Sequence, residues 1–249
     1  MIRLKNEKEL AGIRASSRLL SDAIRETAQA VAAGISTKEL DGLARDYIER
    51  RGGKPSFLGY MNYPASLCIS IDNEVIHGIP GSRKLKAGDI VSLDLGVDLN
   101  GYFSDMAVTL TVGAVSAAKK RLLTVTRECL LAGIAEAVPG NRVSDISRAV
   151  YDRAKAAGFG VVREYCGHGV GFANHEDPQI PNYVGAGPNP RLKEGMVIAI
   201  EPMITAGSGD IELLDDGWTV VTADGSDSAH FEHTVAVVKN GMEILTHFG

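Results

Sequence analysis

Three kinds of feature are scarce or missing in this 249-residue sequence, and each absence excludes a class of protein. There are only three cysteines and no CxxC pair, which favours reduced thiols and excludes a zinc site built from cysteines. No apolar run approaches the length of a membrane span, and the charged start, MIRLKNEKEL, does not read as a signal peptide. The net charge of −5 leaves no electrostatic footprint for nucleic acid. We therefore expect a cytoplasmic protein that binds no membrane and has no direct sequence-specific binding to nucleic acid.

What the sequence does contain is an internal repeat. The phrase LKAGDIVSLD at residues 85–94 returns as LKEGMVIAIE at residues 192–201, 107 positions later, and both phrases end on a carboxylate. A second match, 106 positions apart, relates residues 34–52 to residues 140–158, each a glycine, an amphipathic helix and a glycine. Helix precedes strand in both copies. The chain is therefore interpreted as a single domain, 1–249, made of two related halves, about 1–113 and 114–249.

Apolar spacing and capping residues predict four helices. The first runs from about Glu7 to Val31, and the second starts at a capping box formed by Ser36 and Glu39. The others span about 117–137 and the segment that ends at Ala157. Residues 66–112 and those after 161 alternate or form short apolar runs typical of strands. Since helices and antiparallel hairpins do not alternate regularly, the pattern predicts an α+β fold.

An Asn-Gly pair at residues 100 and 101 predicts a two-residue hairpin turn. In that register, Asp105 lies opposite Gly96, which shares a face of its strand with Asp94. The two carboxylates then point the same way as diagonal neighbours, roughly 7–8 Å apart at the backbone. A bulge would break this register.

Two aspartates aimed from apolar strands into one place repel each other unless something positive lies between them. Burial alone would leave one of them protonated, whereas a divalent cation lets both ionise. The alternative is that each acid caps a strand end or pairs with an arginine. The repeat favours the cation, because it places Glu201 at the position equivalent to Asp94, so that the two strand ends face each other.

Histidines in strand-edge or glycine-rich segments add candidate ligands. His168 lies in CGHGVG, and the segment HFEHT carries Glu232 between His230 and His233. A lone histidine is more often an ordinary core or surface residue. Four carboxylates and one imidazole form an oxygen-rich set that suits Mn, Fe, Co or Zn in a hydrolytic pair. Two such metals about 3.5–4 Å apart would activate water and polarise a carbonyl.

Five motifs together resemble the methionine aminopeptidases, which are dinuclear metallopeptidases of the pita-bread fold, and two further segments narrow the resemblance to the type I enzymes. They are SLDLG with Asp94, FSDMAVT with Asp105, GHGVG with His168, AIEPM with Glu201 and FEHTV with Glu232. The segments GYMNYPASLCIS and NEVIHGIPG add to the likeness. The resemblance covers the chain from the first helix onward. It implies a pseudo-twofold antiparallel sheet covered by two pairs of helices.

The resemblance also implies roles for individual residues. Asp94 would bind one of two divalent ions (Co, Mn, Fe or Zn), Asp105 and Glu232 would bridge both, and His168 and Glu201 would complete the second. Glu201 would also act as the acid/base that helps deprotonate the attacking water. The other implied residues are His175, which would hydrogen-bond the tetrahedral intermediate, His77 near the scissile amide, and a methionine pocket of Tyr60, Tyr63, Cys68 and Trp218.

By the same resemblance, the substrates would be nascent polypeptides that begin with methionine followed by a small residue. The enzyme would be a cytoplasmic monomer, with the ribosome near its exit tunnel as a further partner. Two residues depart from the family pattern. Asn174 replaces an apolar residue and puts the shape of the pocket in question, and His230 stands where glutamine is common. The alternatives are an exopeptidase acting on Xaa-Pro bonds and an inactive binding protein of the same fold.

Overall fold

The computed structural model describes residues 1–248 and confirms the α+β class. Within that range the helices are α1 (Glu7–Gln29), α2 (Thr37–Glu49), α3 (Ala117–Ala135) and α4 (Val143–Ala156), with a single 3₁₀ turn at Tyr60–Asn62. The strands are β1 (Lys54–Pro55), β2 (Leu67–Ile71), β3 (Glu74–Ile76), β4 (Ile90–Leu99), β5 (Tyr102–Thr111), β6 (Gly160–Val161), β7 (Gly167–Gly169), β8 (Glu176–Ile180), β9 (Val197–Ile200), β10 (Met203–Thr205), β11 (Ile211–Leu213), β12 (Val220–Thr222), β13 (Ser228–His230), β14 (His233–Val238) and β15 (Gly241–Ile244).

The sequence predicts the first residues of the helices more accurately than their last residues. The capping box of α2 is present: the Glu39 N–H donates to Ser36 Oγ at 3.2 Å, and the Ser36 N–H donates to the Glu39 carboxylate at 2.8 Å. By contrast, α1 ends at Gln29 and not at Val31. The N–H of Val31 donates to the carbonyl of Ala28, three residues back, at 3.1 Å. The last turn has therefore tightened into 3₁₀ geometry, which the apolar spacing does not reveal.

The first half buries one face of an antiparallel sheet beneath two helices. Strand β4 pairs with β1, β2 and β5. Leu93 and Leu95 of β4 pack with Leu20 and Ile24 of α1 and with Leu40 of α2, and all five are fully buried. Because side chains alternate along a strand, this packing directs the residue between the two leucines to the opposite face.

The second half repeats this arrangement with α3 and α4. Strand β9 pairs with β7 and β14. Ile198 and Ile200 of β9 pack with Ile134 from α3 and Ile146 from α4. Strands β6, β10 and β13 form a further ladder. The last buried isoleucine of β9 comes directly before Glu201, so the strand delivers that carboxylate from a fixed core.

Two isolated bridges occur at equivalent places in the halves. Ser36 pairs with Lys84, and Arg142 pairs with Arg191. Each bridge ties the start of a helix to the segment that leads into a central strand, β4 or β9. Their positions, 106 and 107 residues apart, match the spacing of the sequence repeat. This supports the interpretation of two related halves within one domain, which stays a prediction.

None of the helices within residues 1–248 combines the length and apolarity needed to cross a bilayer.

Candidate active site

The first two carboxylates lie where the predicted hairpin register puts them. Asn100 and Gly101 form the turn, both with positive φ (56° and 82°), as a type I′ turn requires. Asp105 pairs with Gly96 and Asp94 pairs with Ala107, with no bulge between β4 and β5. Both aspartates are buried on the face opposite the helices, with exposed fractions of 8% and 4% for Asp94 and Asp105. The predicted register is confirmed.

Two glutamates from the second half enter the same pocket. Glu201 follows β9, and Glu232 lies between β13 and β14. Phe231, beside Glu232, packs against the cores of both halves, so alternation along the chain turns Glu232 toward the pocket. Glu232 is 2% exposed, and its backbone N–H donates to the Ala107 carbonyl at 2.9 Å. The two halves thus contribute two carboxylates each to one pocket.

His168 presents one ring nitrogen to this group of acids. Its Nδ1 lies 2.9 Å from the Gly169 carbonyl, so Nδ1 carries the proton and donates it. The unprotonated Nε2 lies 3.4 Å from Glu201 Oε1 and 3.9 Å from Asp105 Oδ2. Burial lowers the pKa of His168 to about 3, which keeps the imidazole neutral. A neutral imidazole with its other nitrogen fixed by a carbonyl is the form that ligates metals.

The donor set fits a divalent metal. Ligand atoms of Asp105, His168 and Glu232 all lie within 4.8 Å of one another. Oε1 of Glu232 is buried and has no hydrogen-bond partner among residues 1–248. Burial, followed by repulsion from neighbouring carboxylates, raises the pKa of Asp105 and of Glu232 well above their usual range. Buried carboxylates repel one another when all of them are ionised, and a divalent cation bound between them offsets that repulsion. The cluster therefore has the chemistry of a divalent-cation site.

The metal-free protein should lose stability as the pH rises above 6.5. Burial raises the pKa of Asp94 to about 7 and that of Glu201 to about 8. The folded chain then holds protons that the unfolded chain, with carboxyl pKa values near 4, has released, so raising the pH favours unfolding. Buried histidines of lowered pKa, such as His168, act in the opposite sense, but only below about pH 6.5. Each retained proton contributes up to about 1.4 kcal/mol per pH unit.

The measurement is the melting temperature of chelator-treated protein between pH 6.5 and 8.5, with metal-loaded protein as the control. We expect the metal-free Tm to fall by several degrees and the stabilisation by metal to grow with pH. A metal-free Tm that stays level or rises over this range would contradict the account.

His175 and His77 lie beside the acids in the same pocket. The ring centroid of His175 is 4.2 Å from that of His168, and its Nδ1 is 2.9 Å from the Tyr60 hydroxyl. His77 adopts a positive φ of 60°, which is uncommon for a residue with a side chain and is often found at functional sites. Burial lowers the pKa of both imidazoles, that of His77 to about 4, so both are neutral near pH 7.

An apolar cluster lines the same pocket as the acids. Tyr63, Cys68 and Trp218 are brought together there, and the rings of Tyr63 and Trp218 meet edge to face at 5.0 Å. Tyr63 is anchored through its hydroxyl, which donates to the Gly78 carbonyl at 3.0 Å. The pocket encloses about 290 Å³. All the site residues expected from the sequence line it, together with three that sequence reasoning missed: Phe57, Met61 and Tyr165.

Of the pocket residues that sequence reasoning missed, only some could have been identified from a pattern in the sequence. Tyr165 lies three residues before His168, so the glycine-rich segment already pointed to its neighbourhood. Phe57 is different, because it reaches the pocket through a close approach of its segment to Gly96. A Cβ on Gly96 would lie 2.7 Å from the Phe57 ring. No local pattern reveals such a contact between distant segments.

The structure shows what the Asn174 side chain contacts. Its side chain is 4% exposed, and its amide donates to the Ser56 carbonyl at 2.8 Å. The Nδ2 group is thus held by the chain itself, and Asn174 is not among the residues that line the cavity. His230 is buried with Nε2 3.6 Å from Glu201 Oε2, and neither ring nitrogen has a hydrogen-bond partner in the described part of the chain. His233 points away from the pocket to Thr246.

Asn174→Ala should therefore affect stability more than substrate binding. Loss of the hydrogen bond to Ser56 is expected to cost about 1 kcal/mol in the free energy of unfolding. The KM for peptide substrates should stay within about twofold, since the side chain does not reach the cavity. Urea unfolding and steady-state kinetics measure the two effects. A large rise in KM at unchanged stability would mean that the asparagine contacts the substrate.

The model of metallopeptidase family M24 matches residues 11–239 of this chain. The chain is 50% identical over 246 residues to the methionine aminopeptidase of Clostridium perfringens, covering 99% of each protein. It is equally similar, at 50% over 246 residues, to methionine aminopeptidase 1 of Bacillus subtilis.

Comparison with solved structures also finds methionine aminopeptidases. The crystal structure of methionine aminopeptidase from Rickettsia prowazekii superposes with a TM-score of 0.97 at 40% identity, covering 99% of this chain and 100% of that one. A prolidase from Pyrococcus furiosus superposes with a TM-score of 0.82 at 24% identity over 66% of its length, which shows the fold alone. The expected pita-bread fold is confirmed, and the chain belongs to metallopeptidase family M24.

Proposed function

We propose that this chain is a dinuclear methionine aminopeptidase that removes the first methionine from new polypeptides whose second residue is small. The observation that carries the proposal is the pocket itself, which is lined both by four carboxylates and a histidine and by a cluster of apolar and aromatic side chains. The relatives that match the whole chain at 50% identity bear that name.

Five residues are proposed to hold two divalent ions, Co, Mn, Fe or Zn. When bound, the ions lower the pKa of water and polarise the scissile carbonyl. Asp94 would hold one ion, Asp105 and Glu232 would be shared by both, and His168 and Glu201 would complete the second. Asp105, His168 and Glu232 support this assignment most directly, because their ligand atoms all lie within 4.8 Å of one another.

Glu201 is proposed as the group that takes the proton from the attacking water and passes it to the leaving amine. Burial raises the pKa of Glu201 to about 8 in the metal-free chain. A general acid/base works best with a pKa near the working pH.

His175 is proposed to stabilise the tetrahedral intermediate, and His77 lies near the scissile amide. His175 Nδ1 lies 2.9 Å from the Tyr60 hydroxyl. The proposed role requires the tautomer in which Nδ1 accepts from the Tyr60 O–H, because Nε2–H is then the donor available to an oxyanion. The aromatic contacts of His77, to Tyr165 at 5.4 Å and Trp218 at 6.0 Å, fix its ring at the pocket edge.

The methionine side chain is proposed to pack in the apolar wall of Tyr60, Tyr63, Cys68 and Trp218. An unbranched thioether makes favourable contacts with aromatic ring edges. The edge-to-face pair of Tyr63 and Trp218 offers such edges, and the satisfied Asn174 adds no polar group to the cavity. These contacts favour methionine over leucine or alanine at the first position.

A peptide panel tests the proposal. Purified protein is stripped with chelator, reloaded separately with Mn, Co, Fe or Zn, and assayed for free amino acid from Met-Ala-Ser, Met-Leu-Ser, Leu-Ala-Ser and Ala-Pro-Ser. We expect metal-dependent release from Met-Ala-Ser above all others. Comparable release from the leucine or Ala-Pro peptide would support an exopeptidase of other specificity, and no release with any metal would support a binding protein.

The proposal extends to the setting of the enzyme. A monomer in the cytoplasm, acting on nascent chains at the ribosomal exit tunnel, would meet each substrate as its N-terminus emerges. Light scattering after size-exclusion chromatography measures the oligomeric state, and sedimentation with purified ribosomes measures docking. A stable dimer would contradict the proposed monomer, and no sedimentation with ribosomes would contradict the proposed docking. Neither result would affect the proposed reaction.

A further inference from the structure

The two halves meet along a short antiparallel seam that runs through the metal-binding residues. Strand β5 lies beside residues 230–234, and Ala107 accepts a hydrogen bond from the Glu232 N–H at the centre of the seam, at 2.9 Å. On one side of this central bond, Thr234 contacts the backbone of Asp105. On the other side, Thr109 contacts the backbone of His230. The pattern is symmetrical about the central bond.

Each threonine hydroxyl satisfies both backbone groups of the residue it faces. Thr234 Oγ1 accepts from the Asp105 N–H at 2.9 Å and donates to the Asp105 carbonyl at 2.7 Å. Thr109 Oγ1 accepts from the His230 N–H at 2.9 Å and donates to the His230 carbonyl at 2.7 Å. Both threonines are buried, at 4% exposure or less. Without the hydroxyls, four buried backbone groups would lose these partners.

This arrangement affects the spacing of the site. Directly paired strands lie about 4.7–4.9 Å apart, and a hydroxyl placed between two backbones requires a wider gap. The two backbones of the seam are therefore close together at Glu232 and farther apart at Asp105 and His230. Threonine is restricted at χ1, so the position of its hydroxyl is well defined. The hydroxyl of Thr234 thus sets how far Asp105, from the first half, lies from Glu232, from the second.

We propose that Thr234, with Thr109 as its counterpart, is a positioning residue that sets the distance between Asp105 and Glu232 and thereby the metal affinity of the site. This inference rests on the proposed function, because it requires Asp105 and Glu232 to bind metal together. Neither threonine needs to touch the substrate or the metal for this role.

The test compares Thr234→Val with Thr234→Ser. Valine keeps the branched shape and loses the hydroxyl, whereas serine keeps the hydroxyl. Mn affinity is measured by calorimetry without substrate, and kcat and KM are measured at saturating metal. We expect valine to weaken Mn binding by about 10–100-fold and to lower kcat with KM within about twofold, and serine to restore Mn affinity to within about threefold of the parent chain. Equal affinity in the valine variant and the parent, or equal losses in valine and serine, would overturn the proposal.

Controls separate positioning from general destabilisation. Thr126→Val removes a buried hydroxyl bonded to the Leu122 carbonyl inside α3, away from the pocket, and should lower Tm without changing Mn affinity. Should Thr234→Val not fold, Thr109→Val carries the same test with a smaller expected loss, because Thr109 bonds the backbone of His230 and not that of a proposed ligand. Failure of the proposed function would differ, because the parent chain itself would then bind no Mn or release no methionine.

Discussion

The Glu201→Gln variant is expected to fold and to release methionine from Met-Ala-Ser at least about 100-fold more slowly than the parent chain at saturating metal. Glutamine has the size of glutamate but cannot take up a proton at the pH of the assay. General acid/base groups contribute about 10²–10⁴-fold to a rate, so this loss should fall on kcat with little change in KM. Discontinuous assay of free methionine measures it.

The control for this variant is Glu194→Gln, an exposed glutamate that leads into the same strand, β9. It removes the same charge seven residues away and should keep parental activity. Circular dichroism and metal titration show whether the Glu201 variant is folded and loaded. A folded, loaded Glu201→Gln enzyme that retains activity would rule out the proton-transfer role.

Replacing Asp105 by asparagine should have opposite effects on metal binding and on the stability of the metal-free protein. Loss of residues that merely orient metal ligands costs about 10–100-fold in affinity, so loss of a bridging carboxylate should cost more than about 100-fold. Burial and the neighbouring acids raise the pKa of Asp105 well above its usual range. A neutral amide relieves that repulsion and can still accept the Met106 N–H bond that Oδ1 accepts at 3.0 Å. Metal-free Asp105→Asn should therefore have a higher Tm than the metal-free parent at pH 8.

Calorimetric titration with Mn and thermal melting with and without chelator measure both effects in one preparation. Asp152→Asn, an exposed aspartate on α4, is the matched control and should change neither quantity. A metal-free Asp105→Asn protein that is less stable than the parent, or one that binds Mn normally, would show that Asp105 has a structural and not a metal-binding role.

Much of the candidate site could be predicted because short-range rules fix it. The Asn-Gly turn determines the register of β4 and β5, and this register brings Asp94 and Asp105 to one face. The repeat predicted that Glu201 would enter the same pocket as Asp94, which the structure confirms. Alternation around Phe231, which packs against the cores of both halves, similarly directs Glu232 inward and leaves His233 outside.

The rest depends on contacts between distant parts of the chain. The partner of Asn174 is the Ser56 carbonyl, 118 residues away, so the sequence alone could not show whether its amide enters the cavity. Thr234 and Asp105 are separated by 129 residues, and a threonine in a strand is ordinarily explained by its β propensity. Helix ends differed for a local reason, since 3₁₀ bonds at the end of α1 are not encoded in apolar spacing.

The central claim is that the four acids and His168 form a two-metal centre. Crystals of the protein soaked with Mn, measured at a wavelength where Mn scatters anomalously, test it most directly. The account predicts two anomalous peaks about 3.5–4 Å apart, both within the pocket and both in contact with Asp105 and Glu232. A single peak without contact to Glu232, or peaks only outside the pocket, would contradict it.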